Sequence, residues 1–543
     1  MAGGLLNIVA VGNNNTFLTG NPTKTFFNVT YSKHTNFGLQ KFRVDYTGMR
    51  DLRLTEQSTF RFKIPRYAEL LMDTYIVVTL PDIWSPIYHP CENTNNRWSA
   101  YEYKWIRNLG SLMIKEISIE CGSSVLQKYS GHYLANMVER DFSAEKKNLF
   151  NTMTGNIPEL YDPANAYSYN GAYPSAFYTD NTSGAQPSIL GRNLVIPINA
   201  WFTMNPGSAF PLVALQYNEL YINVTMRPIQ ELFQVRDVFD YTNNFPYIQP
   251  DFNSPQFQMY RFLQTPPSTD ISPSNYEITN NTWNADVHLI CTYCFLSTEE
   301  SKIFAANDQA YLLKDIYEYN FEDIVGSAKL KLNSTGMVSS WFWFMQRSDV
   351  QYRNEWSNYT NLPYVNLNYD LINNLNKYIN SNQYDINPDY SITGISITGD
   401  YKEWFRTEIL QTMGILLNGD YRENTLISDV YNYIEKYTRT QGFSQNYTYC
   451  YNFCLNTSPF EYQPSGALNF NKFKDIYLEI TTILPTPVAN KNFSVLCDAN
   501  GNPIGIDKQN TNKYDYTFRM TLFEERHNVL SFIGGNCGLM YAR

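Results

Sequence analysis

The chain has 543 residues, more than one small β-sandwich uses, so two or three domains are expected. Aromatic residues reach 16%, with 44 Tyr and 33 Phe, while charged residues reach 17% and the formal net charge is −10. An acidic chain with no basic run lacks the clustered cations that bind phosphate backbones, and no run of about 20 apolar residues is present to cross a bilayer as a helix.

The first segment, 1–26, holds an apolar patch, paired glycines and an Asn-rich turn with no regular period. On composition alone it reads as a frayed terminus by default, with an arm that orders only against neighbours as the alternative. The opening MAGGLLNIVAVG has no basic stretch and too short an apolar run for a secretory signal, so cytosolic synthesis is expected. Strand-like runs follow at DTYIVVTLP (73–81), IKEISIECG (114–122), NLVIPI (193–198) and NELYINVTM (218–226). Between them HYLANMVERDFSAEKKNLF (132–150) has helical spacing, and 84–101, 154–192 and 227–283 are loops dense in Pro, Asn, Tyr, Ser and Gly.

The pattern then starts again. Strand-like runs occur at 286–297, 310–324, 328–333, 338–346, 413–419, 447–455 and 474–484. Two echoes link the halves. ALQYN before LYINVT (214–225) parallels ALNFN before DIYLEIT (467–481), and ISIECGSSVL with a helical stretch after it parallels GILLNGDYRENT with DVYNYIEKY after it. Two copies of one domain fit this better than a solenoid of short repeats. Short strands separated by long loops predict an all-β chain of two tandem eight-stranded antiparallel jelly-roll sandwiches, a double jelly roll, with a few short helices. The predicted division is an arm at 1–26, a first jelly roll at 27–230, a linker at 231–283, and a second jelly roll at 284–543 with an outer loop insertion near 350–410.

Catalytic and metal chemistry find little support. Cys291 and Cys294 sit three apart on a strand-like run, where side chains point to opposite faces, and Cys450 and Cys454 have no matching pair nearby. All eight cysteines read as core thiols, and disulfides are not implied. Glu299-Glu300 and Glu524-Glu525 are adjacent in sequence and do not converge on one substrate, so no catalytic, cofactor or metal residue is assigned. Ten N-x-S/T sequons occur in this Asn-rich chain. If any carries a glycan, the loop positions Asn181, Asn280 and Asn358 are preferred.

Both ends resemble one family. MAGGLLNIVAVG, then Phe17 to Pro22 (FLTGNP, with Gly20, Asn21 and Pro22), then Thr25-Phe26-Phe27 and the run Tyr31 to Phe37 that includes Asn36, resembles the opening of major capsid proteins of nucleocytoplasmic large DNA viruses. Asn528-Val529-Leu530 and Phe532 to Ala542, with Gly535, Gly538 and Tyr541, resembles that family's closing motif. Interior matches are Cys121-Gly122 with His132-Tyr133, Phe210-Pro211-Leu212, Leu417-Asn418-Gly419, and Gln463-Pro464-Ser465-Gly466 with Asn469-Phe470. Loops 154–192, 227–283 and 350–410 have no counterpart.

The resemblance implies a structural, non-enzymatic protein without cofactor, located in the virion shell and assembled in the host cytoplasm. It implies a homotrimeric capsomer of pseudo-hexagonal outline, contacts with neighbouring capsomers and with minor capsid, cement and penton proteins, and an arm facing the inner viral membrane. No direct contact with nucleic acid is expected. A carbohydrate-binding β-sandwich or a viral surface spike is the alternative, because Tyr-rich loops suit sugar stacking.

Overall fold

In a computed structural model of the chain, the described residues are 2–88, 99–164, 166, 186–239, 246–267, 273–362, 407–442, 444–445, 447–485, 493–497, 503–508 and 514–541. Sixteen of the described strands fall into two sets of eight. The first set is β1 (Phe37–Asp45), β2 (Ser58–Lys63), β3 (Leu70–Leu80), β4 (Ile114–Cys121), β5 (Ser124–Tyr129), β6 (Arg192–Pro197), β7 (Leu220–Met226) and β8 (His288–Leu296). The second set is β9 (Gln309–Ile324), β10 (Ser327–Lys331), β11 (Met337–Arg347), β12 (Leu410–Leu417), β13 (Asp420–Ile427), β14 (Thr448–Asn452), β15 (Ile476–Thr482) and β16 (Phe518–Ile533).

Each set builds two sheets. The first gives β1-β8-β3-β6 and β2-β7-β4-β5, and the second gives β9-β16-β11-β14 and β10-β15-β12-β13, with antiparallel pairing throughout. Counted within a set, both halves run first-eighth-third-sixth and second-seventh-fourth-fifth. That shared permutation is the jelly-roll connection, made twice. The echoes noted in the sequence occupy matched places. Phe210–Pro211 and Leu468–Asn469, each just before the seventh strand, pair with the start of the third strand of their own unit.

Alternation explains the strands that face solvent on one side. Leu220, Ile222, Val224 and Met226 of β7 point into the first core, and Ile476, Leu478 and Ile480 of β15 into the second, while the residues between them are part-exposed.

Two expectations need correction. The sequence places residues 286–297 in the second jelly roll, yet β8 is the eighth strand of the first. It lies between β1 and β3, with Phe37 opposite Leu296 and His288 opposite Val77. Local sequence marks a strand but not its neighbour, and a jelly roll returns its last strand to the side of its first. The boundary between units therefore moves from 284 to α3 (Thr298–Ala306), which links β8 to β9. The single helix expected over 132–150 is two. α1 (Gly131–Asp141) ends at buried Phe142, where the backbone is extended, and Ser143 restarts the chain as α2 (Ala144–Thr154) by accepting a hydrogen bond from the Lys146 amide. The corresponding helix of the second unit, α4 (Val430–Arg439), opens with a wide turn and follows β13 as α1 follows β5.

Cys121, Cys291, Cys294, Cys450, Cys454 and Cys537 are all buried thiols. Cys291 packs in the main core and Cys294 in a separate small cluster with Leu70 and Ala209. Among the described residues no group of three or more His, Cys, Asp or Glu gathers as a metal site would. Cys91 lies outside the described residues.

Candidate inter-unit seam and assembly surface

The aromatic strand β11 shows how the two units join. Every residue from Val338 to Arg347 is buried, so the strand lacks the alternation of an exposed sheet. Trp341, Trp343 and Met345 enter the core of the second unit beside Met413, Ile415 and Leu478. Phe342 and Phe344 point the other way and join the core of the first unit. The Phe342 ring lies 5.5 Å from Tyr133 of α1, and Phe344 lies 5.4 Å from His132. A sheet covered on both faces reads as a continuous apolar run, which is what WFWFM is.

α1 is held close by its first residue. A Cβ on Gly131 would sit 2.0 Å from the Ser111 carbonyl oxygen and 2.3 Å from that of Ile114, so only glycine lets the helix start there. From this anchor α1 carries Arg140 into the seam. Arg140 Nη2 donates to Glu525 Oε1 of β16 at 2.7 Å and to Asp141 Oδ2 at 2.7 Å, and its guanidinium lies 4.5 Å from the Phe342 ring centre. Tyr133 donates to Glu525 at 2.9 Å, and Ser340 Oγ donates to its other oxygen at 2.8 Å. Thr457 Oγ1 donates to Asp141 at 2.6 Å. Buried charges survive only when paired and hydrogen-bonded, and this cluster is both. Burial by itself raises the Glu525 carboxyl, but Arg140, Lys314 and the Ser340 hydroxyl outweigh it and hold the group at about 2.

Neighbouring Glu524 points to the opposite face, where its Oε2 accepts from Trp341 Nε1 at 2.7 Å and its Oε1 from Arg526 at 2.5 Å. The two adjacent carboxylates thus serve two different cores. Beside the ion cluster the seam leaves a cavity of about 340 Å³ lined by Trp201, Tyr311, Lys314, Gln463, Pro464 and Ser465 among others. The Gln463 to Gly466 motif forms part of its wall. Ser465 Oγ donates to the Asn456 carbonyl at 2.9 Å and accepts from its amide at 3.0 Å, and Gly466 has φ +135°.

The other motif residues fall into four places. Gly20, Asn21, Pro22, Phe26, Phe27 and Asn36 belong to a stretch, 2–36, in which no residue is buried; Phe26 is 83% and Phe27 98% exposed. Its two short helices, Gly3–Val9 and Thr16–Thr19, bury nothing either. Phe37 begins β1. Gly122 (φ +61°), Gly419 (φ +95°) and Gly535 (φ +81°) make the tight turns after β4, β12 and β16. Gly538 and Tyr541 lie on or just after the strand Asn536–Leu539, which folds back on β16; the Tyr541 carbonyl accepts from Asn528 Nδ2 at 3.0 Å.

Of the preferred glycan positions, Asn280 is exposed and Asn181 lies outside the described residues. Asn358 is a correction: it is 0% exposed, its Nδ2 donates to the Leu362 carbonyl at 2.7 Å, and its Oδ1 accepts from Thr360. The sequon there is an interior turn, not a surface loop. The sequence does not single out Gly131 or Arg140, and it offers Glu525 only as half of an adjacent carboxylate pair. The one signal pointing to them is the unbroken apolar run of β11, which demands a second covering layer.

One apolar surface has no cover within the described residues. On β13 and α4, Tyr421, Ile427, Tyr433, Ile434 and Tyr437 are 50%, 58%, 52%, 55% and 91% exposed. This is the second unit's counterpart of the α1 surface that the first unit buries in the seam.

Two jelly rolls of one topology, joined in tandem through a covered sheet face, define a double jelly-roll protein. The family described as "Major capsid protein N-terminus" matches residues 25–263, and "Large eukaryotic DNA virus major capsid protein" matches residues 300–538. The chain belongs to this family of large eukaryotic DNA virus major capsid proteins. It is 29% identical to "Capsid protein 1" of Acanthamoeba polyphaga mimivirus over 354 residues, 65% of this chain and 50% of that protein. It is 24% identical to the major capsid protein of Paramecium bursaria Chlorella virus 1 over 552 aligned positions, covering both chains fully. The chain spans 50% to 59% of the length of the first curated relatives it matches. In structure it resembles VP54 of PBCV-1 (TM-score 0.59, 18% identity, 96% of this chain and 100% of that one) and the Faustovirus major capsid protein (TM-score 0.58, 12% identity, 93% and 92%).

Proposed function

We propose that this chain is the shell-forming capsid protein of a large DNA virus and that it works as a homotrimer of pseudo-hexagonal outline. The observation that carries this reading is the uncovered apolar face of α4. Within one chain, α1 of the first unit packs on the outer face of the β9-β16-β11-β14 sheet. If the same contact is made between chains, α4 packs on the β1-β8-β3-β6 sheet of a neighbour. Six similar units then close a ring with three chains, as cyclic symmetry requires. Phe37 and Leu39, each 53% exposed on β1, supply apolar surface on the receiving side. The trimer is the tile of the capsid lattice, assembled in the host cytoplasm. The 1–26 arm turns inward towards minor capsid proteins and the inner membrane; of the outer insertion expected near 350–410, residues 363–406 lie outside the described residues. Cement and penton proteins complete the shell.

Light scattering tests this. The purified chain is expected at three times 63.1 kDa, and the double variant I434D/Y437E at 63.1 kDa with unchanged circular dichroism. A wild-type monomer at high concentration, or a trimer that tolerates both charges, overturns the reading.

A further inference from the structure

The last hairpin of the chain, Ile533 to Leu539, is stitched to the first unit through contacts separate from those of α1. It lies against β5. The amides of Gln216 and Tyr217 both donate to the Gly535 carbonyl, at 2.9 and 3.4 Å. Asn218 Nδ2 donates to Asn536 Oδ1 at 3.2 Å, and a Cβ on Gly122 would lie 2.9 Å from Asn218 Oδ1. Asn218 therefore touches the residue after Cys121 and the residue before Cys537. The two thiols lie in the same apolar cluster, Cys121 2% and Cys537 8% exposed, close enough that each is the main influence on the other's acidity.

We propose that Cys121 and Cys537 are a disulfide pair that fastens the last hairpin to the first jelly roll when the protein meets an oxidising disulfide. The co-reactant is a low-molecular-weight or protein disulfide. One cysteine thiolate attacks a sulfur of that disulfide and expels one thiolate, giving a mixed disulfide. The second cysteine thiolate then attacks the protein sulfur of the mixed disulfide and expels the other. One S–S bond forms, one breaks, and the two electrons and two protons of the dithiol pass to the co-reactant. Cys121 is the better first nucleophile, because neighbouring Cys537 and the nearby Arg66 cation lower its pKa, while Cys537 is raised. Access comes from the hairpin itself: its flanking residues Ile533, Met540 and Tyr541 are exposed, so local opening of a few residues uncovers both sulfurs. The other buried thiols differ. Burial raises Cys291 and Cys450 to about 12, and among the described residues neither has a second cysteine acting on it.

The test is peptide mapping without reductant. Full-length protein is incubated with oxidised glutathione, quenched in acid, denatured, alkylated and digested. The expected result is one cross-linked species joining the Cys121 and Cys537 peptides, with free thiols falling by two from the eight in the chain. In Cys537→Ser, a change at the surface hairpin, that species disappears and Cys121 is recovered alkylated. Recovery of both cysteines as free thiols in the wild type overturns the proposal. So does linkage of either to glutathione or to a third cysteine.

Discussion

Arg140 and Glu525 stand 385 positions apart in the chain and meet at 2.7 Å, with side chains no more than 2% exposed. Removing either leaves its partner charged and buried in the seam. Arg140→Ala, which strands both Asp141 and Glu525, is expected to cost about 3–5 kcal/mol. Glu525→Gln keeps the shape and a hydrogen-bonding oxygen, and should cost less. Urea denaturation followed by circular dichroism ranks the two, and equal midpoints for Arg140→Ala and wild type would sink the assignment.

The same cluster sets the acid response. Glu525 is held at about 2, below its ordinary 4.5, so its contribution to stability is complete above 4.5 and disappears as pH falls through about 2. His132 behaves oppositely. Burial, with Arg227 and Arg519 nearby, pushes its pKa well below 6.5, so below that pH the unfolded chain takes up a proton that the folded chain refuses. Stability is expected to start falling below about pH 6.5, before Glu525 is touched. Melting temperature against pH should drop less steeply for His132→Gln than for wild type between pH 6.5 and 5; parallel curves would refute this.

Two glycines separate steric from conformational need. Gly131→Ala drives a methyl into two carbonyl oxygens and is expected to cost about 3 kcal/mol or more. Gly419→Ala meets no atom within 4 Å, and only its φ of +95° is strained, so about 1–2 kcal/mol is expected. Thermal unfolding distinguishes them, and a reversed order would contradict the packing of α1.

Deleting residues 2–26 should leave the melting temperature unchanged, because no residue of 2–36 is buried. The shortened chain is expected to fold and self-associate but to fail in closing shells, as seen by electron microscopy. A loss of several degrees in melting temperature would mean that the arm packs on its own chain.

Much of this was legible in the sequence. The strand-like runs at 218–226 and 474–484 marked β7 and β15, and the matched echoes around them predicted a repeated unit that the shared strand permutation bears out. What escaped was everything fixed by distant partners. β8 looked like the opening of a second domain because nothing local states that it pairs with β1. The break at Phe142–Ser143 was hidden because both flanking helices have apolar periodicity. Asn358 carries a sequon, but only tertiary packing places it inside. Arg140 and Glu525 look like ordinary surface charges until α1 meets β16.

β11 has a consequence for mutational tolerance. On β7 or β15 a saturation library should show tolerance rising and falling with every second residue. Along Val338 to Arg347 that rhythm should vanish, because both sides of the ribbon are committed. A substitution that spares one unit's interior there disturbs the other's, so the two halves have lost the freedom to drift apart at this strand.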